Sequence, residues 1–222
     1  MEPWIELERA LTPQGDTMVL RRRGGEFEIR CNGWELVSTR TSLSEEALPR
    51  LAFAELGRAP RRILVGGLGM GYTLRAALDA ADAQARIIVL ELVPAVVDWV
   101  RGPLADLAGR PLDDPRVDAR AGDVADALKG AGDDVDVVLL DTDNGPDAVM
   151  YRPNRFLYGR EGLRSVKRAL VRDGVAGVWS ADRSDRFERE LAAAAMRWRR
   201  TALDASGGRF IAEHSIYLAR RR

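Results

Sequence analysis

From Arg62 onward the chain alternates short apolar runs with segments of helical spacing, and this rhythm restricts its fold more than any other feature. The runs lie at residues 63–65, 87–90, 117–121, 135–140 and 175–179, and helical stretches lie at 72–80, 94–100, 124–129, 162–170 and 187–198. Strands joined through helices need crossover connections, so they run parallel, and a parallel sheet must be covered on both faces. The pattern changes at the end. Residues 201–204 and 210–218 flank Ser206-Gly207-Gly208, which predicts a hairpin whose antiparallel strands close one edge of the sheet.

Before about Pro60 the chain reads as short extended pieces at 4–11, 17–23, 27–31 and 35–39. They are separated by Pro13-Gln14-Gly15-Asp16, Gly24-Gly25 and Asn32-Gly33, turn formers because Gly and Asn tolerate positive φ. A small antiparallel sheet is expected. Ser42 stands three residues before Glu45, a capping-box spacing, and Leu43, Ala47, Leu51, Phe53 and Ala54 recur at helical intervals until Gly57. The expected architecture is α/β: a small N-terminal antiparallel β part with its linking helix over residues 1–58, then a Rossmann-like, mostly parallel sheet with a C-terminal antiparallel edge hairpin over 59–222. A length of 222 residues suits one large domain with such an appendage.

Composition narrows the function. Lys plus Arg equals Asp plus Glu at 34 each, so no global field draws the chain to nucleic acid or to an anionic membrane. No segment approaches the roughly 18 uninterrupted apolar residues of a membrane span. The single cysteine, Cys31, has no partner for an internal disulfide, and acidic Glu2 and Glu6 follow Met1 where a leader would be basic and then apolar. The expectation is a cytoplasmic protein with a small-molecule partner. His214 is the only histidine, so zinc or triad chemistry lacks ligands; no metal is expected, and His214 reads as structural or surface.

Chemistry concentrates after the strands. Gly66-Gly67-Leu68-Gly69-Met70-Gly71 follows an apolar run and opens a helix, so backbone can approach a ligand where side chains would clash. Glu91 ends the next strand, about twenty residues past Gly71, where an acid accepts bonds from ribose hydroxyls. Gly122-Asp123 ends the third strand, with Asp123 open to a helix N-cap role, a ligand contact, or both. Asp141-Thr142-Asp143-Asn144-Gly145-Pro146 ends the fourth, a turn-forming Asx pair or an acidic site. Ligands of such sheets bind outside the carboxyl ends of the strands, and these acids gather there.

In these residues, together with Ser44-Glu45-Glu46 and Asp173-Gly174-Val175, the chain resembles the spermidine synthase family, aminopropyltransferases on the class I methyltransferase-like fold. The resemblance implies that Glu91 binds the ribose of decarboxylated S-adenosylmethionine, that Asp123 reaches the adenine amino group, that Asp141 is the base acting on the attacking amine, and that Asp143 helps hold the polyamine. It also implies a homodimer.

Departures from the family pattern accompany the match. Gly69 stands where the family has an aspartate that grips the donor's amine, Ser44 where it often has tyrosine, and Trp179 where a glutamine ends the fifth strand. The Asp141 loop is shorter. An indole at Trp179 narrows or reshapes an acceptor pocket, and Asp182 is a candidate to restore acidity, or else a helix-capping residue near Ser184. Tyr151 is a lid candidate, whereas Tyr158 and Trp179 also suit packing. Two other readings stay open: methyl transfer from intact S-adenosylmethionine, favoured by Gly69, and a ligand-binding protein without turnover.

Overall fold

Two sheets organise the computed structural model, which describes residues 2–132, 134–142, 144–148, 151–204 and 213–222. The first contains β1 (Ile5–Leu11), β2 (Thr17–Arg23), β3 (Glu26–Cys31) and β4 (Trp34–Ser38), antiparallel and in chain order. Asn32 and Gly33 both take positive φ, +48° and +83°, the pair that a two-residue hairpin demands. Alternation turns Met18, Leu20, Ile29 and Cys31 inward.

Helix α1 (Leu43–Leu56) joins the two sheets and stops at Gly57, whose left-handed conformation lets its N–H reach the Phe53 carbonyl. Its start differs from the expected capping box. Ser42 precedes the helix, but its hydroxyl donates to Glu46 Oε1 at 2.7 Å and caps no backbone N–H, while Glu45 is engaged by Ser44. Both acids of the first turn are within reach of Ser42, and it pairs with Glu46, four residues on, because Ser44 takes Glu45.

The second sheet has seven strands in the order β10-β11-β9-β8-β5-β6-β7. Five are parallel: β5 (Arg62–Gly66), β6 (Arg86–Glu91), β7 (Val117–Ala121), β8 (Val135–Leu140) and β9 (Leu170–Ser180). Two antiparallel strands, β10 (Arg197–Asp204) and β11 (Glu213–Arg220), complete the edge. The helices are α2 (Tyr72–Ala80), α3 (Pro94–Arg101), α4 (Val124–Gly130), α5 (Arg160–Ala169) and α6 (Asp185–Ala193). Strand β8 shows why both faces are covered: Val137 and Leu139 enter the core shared with α1, α2 and α3, while Val138 and Leu140 enter the core of α4, α5 and α6. From β5 the chain winds outward through β6 and β7, then returns to β8 on the other side of β5. At that reversal the loops diverge and leave a crevice beyond the carboxyl ends.

Two boundaries move from their expected places. The helix read over 187–198 ends at Ala193, and Trp198 lies in β10 opposite Ala219. Four alanines favour helix locally, but Ala195 turns to φ +52° and ladder pairing with β11 takes over. Strand β9 starts at Leu170, with Asp173 at φ +64°, ahead of the expected 175. Ser206-Gly207-Gly208 and Phe210 lie outside the described residues.

Helix α1 seats on the sheet where Gly177 leaves room: a Cβ there would lie 2.9 Å from Leu48 Cδ1. Leu48→Ala is expected to cost about 2–5 kcal/mol and Gly177→Ala about 1–3 kcal/mol in chemical denaturation. The double variant should cost at least about 0.5 kcal/mol less than their sum, whereas additive values would contradict the contact.

Candidate active site

Strand β5 delivers the chain into the glycine turn, where two glycines serve different purposes. Gly67 takes φ +90°, and a Cβ on it would sit 2.1 Å from the Asp141 carbonyl oxygen, so the turn and the loop after β8 touch backbone to backbone. Gly69 takes φ +52° with nothing within 4 Å of a Cβ, and it faces the open cavity. Gly66 and Gly71 do not line that cavity; they admit close packing by Val124 and Pro111.

Glu91 ends β6 and is 8% exposed. Its Oε2 accepts the Leu68 N–H and its Oε1 the Val93 N–H, each at 2.9 Å. Burial pushes its pKa up, and the surrounding backbone N–H groups of Val93, Leu68, Gly69 and Leu92 oppose that. Two carboxylate oxygens offer about four acceptor sites, and the Leu68 and Val93 N–H groups take one on each oxygen. Asp123 resolves its two readings by serving both: Oδ1 accepts the Ala125 N–H at 2.7 Å as the N-cap of α4, and the residue lines the cavity beside Gly122.

Asp141 follows β8 and, among the described residues, its carboxylate receives one bond, from Thr73 Oγ1 on α2 to Oδ2 at 2.6 Å. Burial, and then the negative charge of Glu45, raise its pKa from 3.8 to about 7 against that bond. Tyr158 holds the loop in place. Fully buried, it donates from its hydroxyl to the Thr142 carbonyl at 2.8 Å and meets Thr142 Oγ1 at 2.7 Å.

The cavity enclosed by these elements holds about 1190 Å³ of empty space, including its mouth. Tyr151 and Trp179 line it, and Trp179, 7% exposed, has an indole N–H with no hydrogen-bond partner among the described residues. Asp182 does not reach it. That residue is exposed past β9, and Ser184, whose Oγ accepts the Phe187 N–H, caps α6 in its stead. Asp143 lies outside the described residues. The cavity wall also takes in the β part, through Asp16, Met18 and Cys31, and Glu45 of α1. Sequence reasoning makes Glu45 a capping-box acid and part of the Ser44-Glu45-Glu46 stretch, and does not place it in the site. Only the packing of α1 on α2, where Thr73 Oγ1 lies 3.2 Å from the Glu45 carbonyl, tells it from Glu46.

No family model matches the chain. The polyamine aminopropyltransferase of Synechococcus sp. (strain JA-2-3B'a(2-13)) is 29% identical over 144 residues, 64% of this chain and 45% of that protein. Its namesake in Mycobacterium tuberculosis is 29% identical over 164 residues, 72% of this chain and 30% of that protein. The chain thus spans less than half the length of these curated relatives. Among solved structures, a spermidine synthase in complex with the transition-state analogue AdoDATO superposes with a TM-score of 0.79 at 18% identity, over 98% of this chain and 74% of the other. The spermidine synthase of Thermotoga maritima gives 0.78 at 17%, over 98% and 73%. The chain is spermidine synthase-like. The likeness to the solved structures is one of fold, over nearly the whole chain.

Asp141 binds its proton more tightly in the folded protein than in the unfolded chain, where its pKa is the ordinary 3.8. Between about pH 4 and 7 the folded state therefore carries the extra proton, and stability falls as pH rises through that window. Asp141→Asn should be more stable than the parent at pH 8 and lose that advantage near pH 4. Chemical denaturation at both values measures this, and an equal difference at the two would contradict the raised pKa.

Proposed function

We propose that the chain transfers an aminopropyl group from decarboxylated S-adenosylmethionine to an amine, as a cytoplasmic polyamine biosynthetic enzyme. The observation that carries this reading is the charge of the cavity. Asp16, Glu45, Glu91, Asp123 and Asp141 line it, and its described lining includes no Lys or Arg. A sulfonium donor that has lost its carboxylate and a protonated amine are both cations, so this field draws them in and repels an anionic tail.

The chemistry fits the placement. Glu91 accepts the ribose hydroxyls, Asp123 the adenine amino group, and the turn at Gly67 and Gly69 brings backbone against the donor. The amine nitrogen attacks the methylene beside the sulfonium in line; a C–N bond forms, the C–S bond breaks, and the electron pair leaves on the thioether sulfur. Asp141 takes the amine's proton. With a pKa of about 7 it is poised as a general base near neutrality. Tyr151 and Trp179 shape the acceptor side, Asp143 adds a second acid in the same loop, and no step needs a metal. The name shared by the curated relatives, polyamine aminopropyltransferase, supports the reading. Ile5, Leu11 and Trp34, exposed on the N-terminal sheet, supply apolar surface for a homodimer.

One observation favours methyl transfer instead: the open space at Gly69 leaves room for the carboxylate of an intact donor. The cavity's described lining offers that carboxylate no cation. Calorimetry should show the decarboxylated donor binding at least about 10-fold more tightly, a difference of about 1.4 kcal/mol. Preference for the intact donor would overturn the aminopropyl reading. Incubation with the decarboxylated donor and 1,4-diaminobutane should release methylthioadenosine, and Asp141→Asn should lower kcat by about 10²- to 10⁴-fold with donor affinity unchanged. Donor binding without release, across a range of amines, would leave only a binding protein.

A further inference from the structure

Glu45 stands in the cavity wall with Asp141, on a different element, and its position is fixed by a chain of hydrogen bonds rather than by a cation. Ser44 Oγ donates to Glu45 Oε2 at 2.7 Å. That hydroxyl has a single proton, so its 2.8 Å contact with His214 Nδ1 is an Nδ1–H donating to Ser44 Oγ. His214 comes from β11, 170 residues further along, and its ring meets Trp179 edge to face at 5.0 Å between centroids. Ser44 is 1% exposed, so this chain is built into the core and not a surface accident. Burial also lowers the pKa of His214, against the pull of Glu45 and Asp182.

Two carboxylates that share a cavity repel one another, and Glu45 is the charged group that, after burial, raises the pKa of Asp141. Nothing cationic in the described wall relieves that repulsion. We propose that Glu45, positioned by Ser44 and His214, is a second carboxylate of the acceptor-amine site and shares the incoming ammonium with Asp141. Its role is to bind and orient the amine before Asp141 takes the proton; Ser44 and His214 act only through it. The proposal rests on the aminopropyl-transfer reading for its substrate, and it adds a binding group drawn from α1. The groups facing this pair are Tyr72 and Thr73 on α2, His214 on β11 and Trp179 on β9; the tyrosine hydroxyl is itself pushed up by burial and by Glu45 and Glu46.

The test separates amine binding from turnover. Glu45→Gln should raise the acceptor KM by about 10-fold or more while leaving donor affinity and thermal stability near the parent's. It should also move the acid limb of kcat/KM to lower pH, since removing the Glu45 charge lowers the Asp141 pKa. Ser44→Ala and His214→Phe should raise the acceptor KM by a smaller factor, and His214→Asn, which keeps a side-chain N–H donor, should recover part of it. A purely structural role would lower stability without moving KM or the pH profile. If the parent turns over and Glu45→Gln keeps its acceptor KM, this proposal is overturned and aminopropyl transfer stands. If the parent turns over no amine, calorimetry with 1,4-diaminobutane in the presence of methylthioadenosine still decides. Affinity lost in Glu45→Gln supports the amine site; equal affinity, or no binding by the parent, overturns it.

Discussion

A buried carboxylate held by backbone N–H groups is the interaction on which the rest of the site depends. Glu91 ties the glycine turn after β5 to the strand beside it through Leu68 and Val93. Main-chain bonds continue the stitching: Gly67 N–H reaches the Leu90 carbonyl, Gly122 N–H the Glu91 carbonyl and Asp141 N–H the Gly66 carbonyl, each at 2.9 Å. Four strand ends are locked in register in this way. A hydrogen bond to a charged group contributes about 1.5–3 kcal/mol, so the arrangement offsets part of the desolvation that burial imposes, and burial still holds the Glu91 pKa above its ordinary value. No cation is needed to hold the acid.

The same economy shapes the acids around it. Asp123 satisfies a helix N-terminus, Asp141 takes one hydroxyl from Thr73, and Glu45 one from Ser44. Each is oriented by a neutral donor, and the described lining of the cavity holds no Lys or Arg to pair with it. The consequence is a repulsion between Asp141 and Glu45 that, after burial, holds the Asp141 pKa up, and that a cationic guest would relieve on the proposed reading. Rigid support makes that tension tolerable: Tyr158 pins Thr142, and its ring stacks edge to face with Phe187, which does the same with Tyr217.

Much of this was legible from local pattern. Apolar runs located β5, β6, β8 and β9, because burial on both faces removes polar alternation, whereas β7 at the sheet edge keeps it through Asp118 and Arg120. The glycine turn, Glu91 and Asp141 could be read from their place after strands. Features made by tertiary contact could not. Glu45 looks like any first-turn acid until α1 packs on α2, and the bond from Ser44 to His214 spans 170 residues. An alanine run concealed the end of α6, since edge-strand pairing at Trp198 outweighs local propensity. Asp182 was a candidate by proximity to β9, yet the chain turns it to solvent. The role of the N-terminal sheet in the cavity wall was equally hidden, because nothing in Met18 or Cys31 reports which surface they meet.

Methylthioadenosine carries the nucleoside and thioether but neither the charged tail nor the amine, so its affinity isolates the grip of the glycine turn and Glu91. Calorimetry on the parent and on Glu91→Ala, with folding of both verified by far-ultraviolet circular dichroism, should show binding weakened by at least about 10-fold in the variant, or about 1.4 kcal/mol. A folded Glu91→Ala protein that binds methylthioadenosine as tightly as the parent would contradict a nucleoside site built on that carboxylate.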